Sequence, residues 1–400
     1  MYLSHLLRLG ALASVVIGVA ADEAPKLGDV LANHANLTTF NNLLRKFPSL
    51  LLELPSSGGV TIIAPSDQAF KNIPYTALNG VWNTDNEDIT LNLLRYHVLQ
   101  GTLDTTSVKS GPTFMKTSLL TSTKYTNVTA GQNVLFTVQS DKTVIFTSGL
   151  GNRCTVVDKD VAFQGGIIQV IDNLLIPPAL LDKTAQAFQA TSFLGALYAG
   201  KLMPGLEYRD GVTIFVPSDM AMGSVGGTLE KLSTSALSRV AGYHVVPGQV
   251  LNLENMANNT VLKTLGNSTQ NVITVRQSGN NKYVNSAQIV QPDILLANGI
   301  MHIISDVLNP DSPAVPNPSQ ATQPPVFDPS KVDHPFTSAL PCSTNCPVTD
   351  STSATGSAAS STTKTKGPST TSSNGHGPKN TAHVGAAAAL GGAIGLVLAL

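Results

Sequence analysis

Apolar and polar positions follow two periods along this chain, and the same order of periods occurs twice. Apolar residues recurring at three- and four-residue spacing predict helices over 38–52, 88–98, 185–199 and 234–244. Short runs rich in Val, Ile, Thr and Phe predict strands over 133–138, 144–148 and 271–276. Helical stretches come first and strands follow. That order predicts an α+β unit in which helices cover part of a mainly antiparallel sheet.

Three blocks of residues make the repetition explicit. Thr61-Ile-Ile-Ala-Pro-Ser-Asp-Gln-Ala-Phe70 is matched by Thr213-Ile-Phe-Val-Pro-Ser-Asp-Met-Ala-Met222. Each reads as an apolar strand stopped by proline, with a Ser-Asp pair placed to cap the next helix. Tyr96-His97 is matched by Tyr243-His244, each followed by Val. A strand entered through glycine closes each unit: Gly165-Gly-Ile-Ile-Gln-Val-Ile-Asp-Asn-Leu-Leu-Ile-Pro177 and Asn298-Gly-Ile-Met-His-Ile-Ile-Ser-Asp-Val-Leu-Asn-Pro310. The partners lie 152, 147 and 133 residues apart, so order is kept while loops shorten. A period this long means two domains, expected over 26–178 and 180–310, not a solenoid.

The two ends carry a different pattern. Residues 1–21 read as a signal peptide: Arg8, then a short apolar stretch, then Val19-Ala20-Ala21 as a cleavage site. The competing reading of that stretch is an anchor helix. Val384–Leu400 is an uncharged apolar tail preceded by a polar spacer and by Ser372-Ser373-Asn374-Gly375. Small residues, spacer and tail in that order predict a GPI-anchor signal, with 374–400 removed and Ser373 as attachment site, Asn374 as the alternative. A tail-anchor helix is the other reading. Residues 311–336 are proline-rich, and 351–373 hold 15 Ser/Thr in 23 residues. Segment 311–373 is therefore expected to be a glycosylated stalk without a core, and its 63 residues would reach at most ~200 Å.

Composition removes several classes of function. Charged residues make up 12% of the chain and the net charge is −1, with no basic run, which argues against a nucleic-acid partner. The histidines show no metal-ligand spacing, and no phosphate-binding glycine pattern occurs, so no metal or cofactor is expected. Ser66 and Ser218 precede Asp outside any nucleophile motif, and capping accounts for both. His97 and His244 share helix faces with Leu93 and Val240, which predicts core rings bonded to backbone and no catalysis. Cys154 is expected to be a buried thiol, and Cys342 and Cys346 a possible local pair. Sequons at Asn36, Asn127, Asn258 and Asn267 are expected to be surface glycan sites in a secreted chain.

The three blocks together resemble the fasciclin (FAS1) family, over roughly residues 26–310. TIIAPSDQAF and TIFVPSDMAM resemble its first signature box, the Tyr-His pairs its central motif, and NGIMHIISDVLNP its closing box, of which GGIIQVIDNLLIPP is a diverged copy. The resemblance implies two tandem β-sandwich-like wedges with packed helices. The layout of signal peptide, two domains, stalk and anchor is similar to fungal fasciclin-like surface proteins. It implies a cell-surface adhesion or cell-wall and matrix-binding glycoprotein, whose partners are protein or polysaccharide. A lumenal or vacuolar trafficking factor is the alternative, and an enzyme a weaker one. The family's contact motifs map onto Tyr96, His97, Tyr243, His244, Asp293 and Ile294 as adhesion candidates. The first domain has Asp160-Val161 and Gln169 where the second has Asp293-Ile294 and His302. The Gln-Pro-Asp-Ile stretch is expected to be an exposed turn.

Overall fold

A computed structural model describes residues 24–54, 58–108, 110–120, 125–265 and 271–341. The signal-peptide reading, Asn267, Cys342, Cys346, Ser373, Asn374 and the apolar tail lie outside them.

In the first domain α1 (Leu27–Asn33), α2 (Thr38–Lys46) and α3 (Ser49–Leu52) precede β1 (Val60–Pro65). Next come α4 (Asp67–Lys71) and α5 (Glu87–Tyr96), then β2 (Val98–Gln100), β3 (Gly111–Lys116), β4 (Asn133–Val138), β5 (Val144–Thr147), β6 (Arg153–Phe163) and β7 (Gly166–Ile171). The strand order is β2-β1-β7-β6-β5-β4-β3. Only β1 and β7 run parallel; the other pairs in that order are antiparallel. A bridge from Leu99 to Thr117 brings the end of β3 back to β2, so the sheet nearly closes on itself.

The second domain repeats the plan with α6 (Leu181–Ala187), α7 (Thr191–Ala199), β8 (Val212–Pro217), α8 (Asp219–Leu229), α9 (Thr234–Gly242) and β9 (Val245–Pro247). Strands β10 (Val261–Lys263), β11 (Val272–Ser278), β12 (Asn281–Val284), β13 (Ala287–Leu296) and β14 (Gly299–Ile304) complete it. The order is β10-β11-β12-β13-β14-β8-β9, with β8 and β14 parallel. The expected antiparallel sheets thus each contain one parallel pair, formed by the first and last signature blocks.

Two of the expected helices are divided for local reasons. Phe47 precedes Pro48, which disfavours helical backbone at Phe47 and separates α2 from α3. Gln189 sits at φ +54 between α6 and α7. The Ser-Asp pairs cap as expected, and they cap two helices each. Ser66 Oγ accepts from Ala69 N–H at 3.2 Å, while Asp67 reaches sideways to accept from Thr39 N–H at 2.7 Å at the start of α2. Ser218 accepts from Ala221 N–H at 3.1 Å, and Asp219 from Ser192 N–H at 2.9 Å at the start of α7.

Each sheet buries apolar side chains on two sides. In the first domain Phe40, Leu44, Ile62, Leu94 and Ile168 fill the helical side, and Tyr96, Phe136, Phe146 and Ile171 fill the other. Cys154 lies in that second core with its thiol pushed up to about 12 by burial, which makes it inert.

The two domains are joined by buried polar contacts. Gln132 is fully buried; its amide nitrogen donates to the carbonyls of Leu296 at 3.3 Å and Ala297 at 3.1 Å in the second domain. Its carbonyl oxygen accepts from Asn133 N–H at 2.8 Å, which fixes the amide's orientation. Ala297 N–H in turn donates to Ala179 at 2.9 Å. Replacing Gln132→Ala takes this donor from the Leu296 carbonyl and one of two donors from the Ala297 carbonyl, which keeps the Asn127 N–H. We expect a loss of about 1–3 kcal/mol at the domain junction, read as a lower melting temperature by calorimetry.

The proline-rich segment corrects the expected stalk. Residues 326–341 are packed on the second domain, with Phe327, Phe336 and Leu340 against its helical core; upstream, most of 312–325 is exposed and Asp311 pairs with Arg239. Composition suggested too little apolar surface to order the segment, but three apolar anchors and backbone hydrogen bonds to α8 hold it.

Candidate functional site

The Tyr-His pairs sit where α5 and α9 turn into β2 and β9. His97 is fully buried. Its Nδ1–H donates to Leu93 O at 2.8 Å, and its Nε2 accepts from Leu175 N–H at 2.9 Å. His244 repeats this with Val240 O at 2.8 Å and Leu308 N–H at 2.9 Å. Each ring therefore ties its helix to the segment following the closing strand. The N–H facing Nε2 fixes the tautomer, and burial lowers both rings to about 4. Tyr96 and Tyr243 are buried too, and their hydroxyls donate to Asn133 O at 2.8 Å and Val272 O at 2.7 Å.

The Asp-Ile stretch is not an exposed turn. Asp293 lies within β13 at an irregularity in its pairing with β14, at φ +65 and only 7% exposed. Ile294 is 5% exposed and belongs to the core. The side chain of Asp293 turns inward and accepts from Leu253 N–H at 2.8 Å. Its own N–H donates to His302 Nδ1 at 3.1 Å, and His302 Nε2–H donates to Leu251 O at 2.9 Å. The first domain builds the same structure from different residues. Asp160, at φ +59, accepts from Thr105 N–H at 3.0 Å, and its N–H donates to Gln169 Oε1 at 3.1 Å. The Gln169 amide nitrogen donates to Leu103 O at 2.9 Å and to Asp160 Oδ1 at 2.7 Å. An amide thus replaces an imidazole while holding the same loop.

That exchange separates the two carboxylates electrically. Burial pushes Asp160 up, but hydrogen bonds from Thr105 and Gln169 outweigh it, and its pKa is lowered. Asp293 has no such amide donor; burial raises it to about 6, with Glu254 adding repulsion and the Leu253 N–H and Lys282 opposing. His302 is buried and lowered to about 4, so its Nδ1, 3.8 Å from Asp293 Oδ1, carries no proton and forms no ion pair. Asp293→Asn keeps an acceptor for Leu253 and suits the positive φ. We expect it to stabilise the second domain by roughly 2–3 kcal/mol at pH 7.5 and by little at pH 4, where the native carboxyl is already protonated. Urea midpoints at the two pH values measure this.

All six contact candidates are therefore structural: Tyr96, His97, Tyr243, His244, Asp293 and Ile294 are each less than 9% exposed. The helix-face argument identified the histidines as core residues. It did not extend to Asp293, because the register irregularity that turns the carboxylate inward has no signal in Gln-Pro-Asp-Ile. Gln132 also went unnoticed, since nothing local distinguishes it. Among the described residues no group of three or more His, Cys, Asp or Glu is arranged to hold a metal.

The sequons divide. Asn36 and Asn258 are exposed. Asn127 is half-buried at the domain junction: its side-chain nitrogen donates to Tyr208 O at 2.9 Å and its N–H to Ala297 O at 2.7 Å. The expectation of a free surface sequon at Asn127 is corrected, because a glycan would be attached to the nitrogen that bonds the second domain.

Comparison with known proteins gives a consistent result. A family model described as the fasciclin domain matches residues 35–177 and 188–310. A fasciclin-like arabinogalactan protein of Arthroderma benhamiae is 28% identical over 336 residues, covering 83% of this chain and 78% of that protein. The fasciclin-like arabinogalactan protein elcF of Phaeosphaeria nodorum is 29% identical over 303 residues, covering 73% and 91%. Human periostin is 26% identical over 274 residues, covering 65% of this chain and 29% of that protein.

Proposed function

Because the chain belongs to the fasciclin domain family, we propose that it is a cell-surface glycoprotein that binds cell-wall or matrix components through the outer faces of two rigidly joined domains, held to the membrane by a lipid anchor. The family is of the cell-adhesion type. The observation that carries the reading is the use made of the chemically capable side chains. His97, His244, His302, Asp160 and Asp293 all bond backbone groups inside the fold, so each has a structural task in holding a loop or strand. Exposed sequons at Asn36 and Asn258 suit a glycosylated outer surface. No helix among the described residues is long and apolar enough to cross a membrane. The anchor is read from the tail sequence.

The test is a binding screen of the glycosylated ectodomain against cell-wall polymers and surface proteins, beside treatment of intact cells with phosphatidylinositol-specific phospholipase C. We expect saturable binding to at least one wall or surface component, and release of the protein into the medium. Deleting 384–400 is expected to cause secretion. A vacuolar location of the mature protein, or retention on membranes after the deletion, would overturn the reading.

A further inference from the structure

Helix α8 has the sequence DMAMGSVGGTL, with glycine at 223, 226 and 227. Glycine is the poorest helix former after proline. None of these three has a left-handed φ, so the backbone conformation does not require them. What they supply is room for a close approach. A Cβ at Gly226 would stand 2.9 Å from Pro335 and 3.2 Å from Val332, and one at Gly227 would overlap the Ser330 hydroxyl. On α7, a Cβ at Gly195 would overlap the Phe336 carbonyl oxygen.

The approach lets backbone bond to backbone. Val332 N–H donates to Gly223 O at 2.9 Å, Ser330 N–H to Ser224 O at 3.0 Å, and Gly227 N–H to Ser330 O at 2.9 Å. Thr228 Oγ1 donates to Asp328 O at 2.8 Å, and Phe336 N–H to Glu230 Oε1 at 3.3 Å. The glycine face of α8 is thus a docking surface for an extended peptide, and the chain's own residues 327–341 form a strap across it. This strap lies beyond the matched family domain, which ends at 310.

The bonds at Phe336, Val332, Ser330 and Asp328 are met one after another by a pull applied at the chain's C-terminal side. A load reaching the sheet instead meets β14, flanked by β13 and β8 and paired to β8 over six residues in register. Bonds loaded singly yield at lower force than bonds loaded together. We propose that the strap is a tension-released extension: load entering through the residues after 341 peels it from α8 and lengthens the tether while both domains stay folded. The physiological role rests on the anchor reading under "Proposed function"; the mechanical behaviour does not, so the two can fail separately.

Single-molecule pulling on the ectodomain, residues 22–373 held by its two ends, tests it. We expect a first, reversible step of up to about 110 Å, the extended length of residues 311–341, at lower force than later steps. Unfolding of the second domain, residues 181–310, would release about 470 Å. Gly226→Val and Phe336→Ala are expected to weaken or abolish the first step and leave the domain steps in place. A first step that already has the domain's length would overturn the proposal. So would variants that lower both steps together, which would make the strap part of one cooperative unit.

Discussion

His244→Ala is expected to destabilise the second domain by about 3–5 kcal/mol, a large part of a single domain's stability. The ring is fully buried and packs against Phe193 at 5.2 Å between centroids. Removing it leaves a cavity, takes one donor from the Val240 carbonyl, which keeps the Tyr243 N–H, and takes the acceptor from the Leu308 N–H. The Leu308 N–H is the more serious loss, because an unpaired buried donor has no alternative partner. The expected readout is a lower urea midpoint for the second domain and a reduced amount at the surface, since partly unfolded chains are cleared. Binding per displayed molecule should be unchanged. His97→Ala should act in the same way on the first domain, through Leu93 and Leu175. A stable His244→Ala protein that had lost adhesion would make this residue a contact after all.

Acid should weaken the whole chain between pH 6.5 and pH 4. His97, His244 and His302 are each lowered by burial to about 4 from the ordinary histidine value of 6.5. In that window the unfolded state takes up protons that the native state refuses. Stability therefore falls as pH falls, beginning below 6.5 and levelling off below 4. Each ring accounts for roughly 3 kcal/mol at the lower end. Asp293 acts in the opposite direction, because its carboxyl is raised to about 6 and the native state takes up its proton first. Its contribution gains stability as pH falls from about 6 towards 3.8, offsetting roughly one histidine. The net expectation is a loss on the order of 6 kcal/mol between pH 7 and pH 4, shared between the domains. Denaturant titrations across this range measure it. In the Asp293→Asn variant the offset disappears, and the second domain should lose stability more steeply with acid than the wild type. An acid dependence centred below pH 4 would assign it to carboxylates in place of the histidines.

The chain's own pattern was enough for the duplication, the α+β class and the family, because these depend on residues close together in sequence. A strand stopped by proline and followed by Ser-Asp caps a helix in either domain, whatever surrounds it. The spacing of His97 from Leu93 and of His244 from Val240 placed both rings on apolar helix faces, and burial followed. What lay across the sheet was not legible. Whether Asp293 points to water or inward is decided by the pairing irregularity between β13 and β14, which depends on two strands and on the loop carrying Leu253. Gln169 takes the place of His302 because both offer an acceptor and a donor at the same separation, a likeness visible only when the loops they hold are superposed in space. Gln132 becomes the joint between the domains through carbonyls more than 160 residues away. The proline-rich segment reads as a stalk by composition, since composition counts only the apolar surface the segment brings. Its order comes from α8, where the glycines remove the side chains that would keep another backbone at a distance. Local residues set each element, and the partner surface decided which residues each element buries.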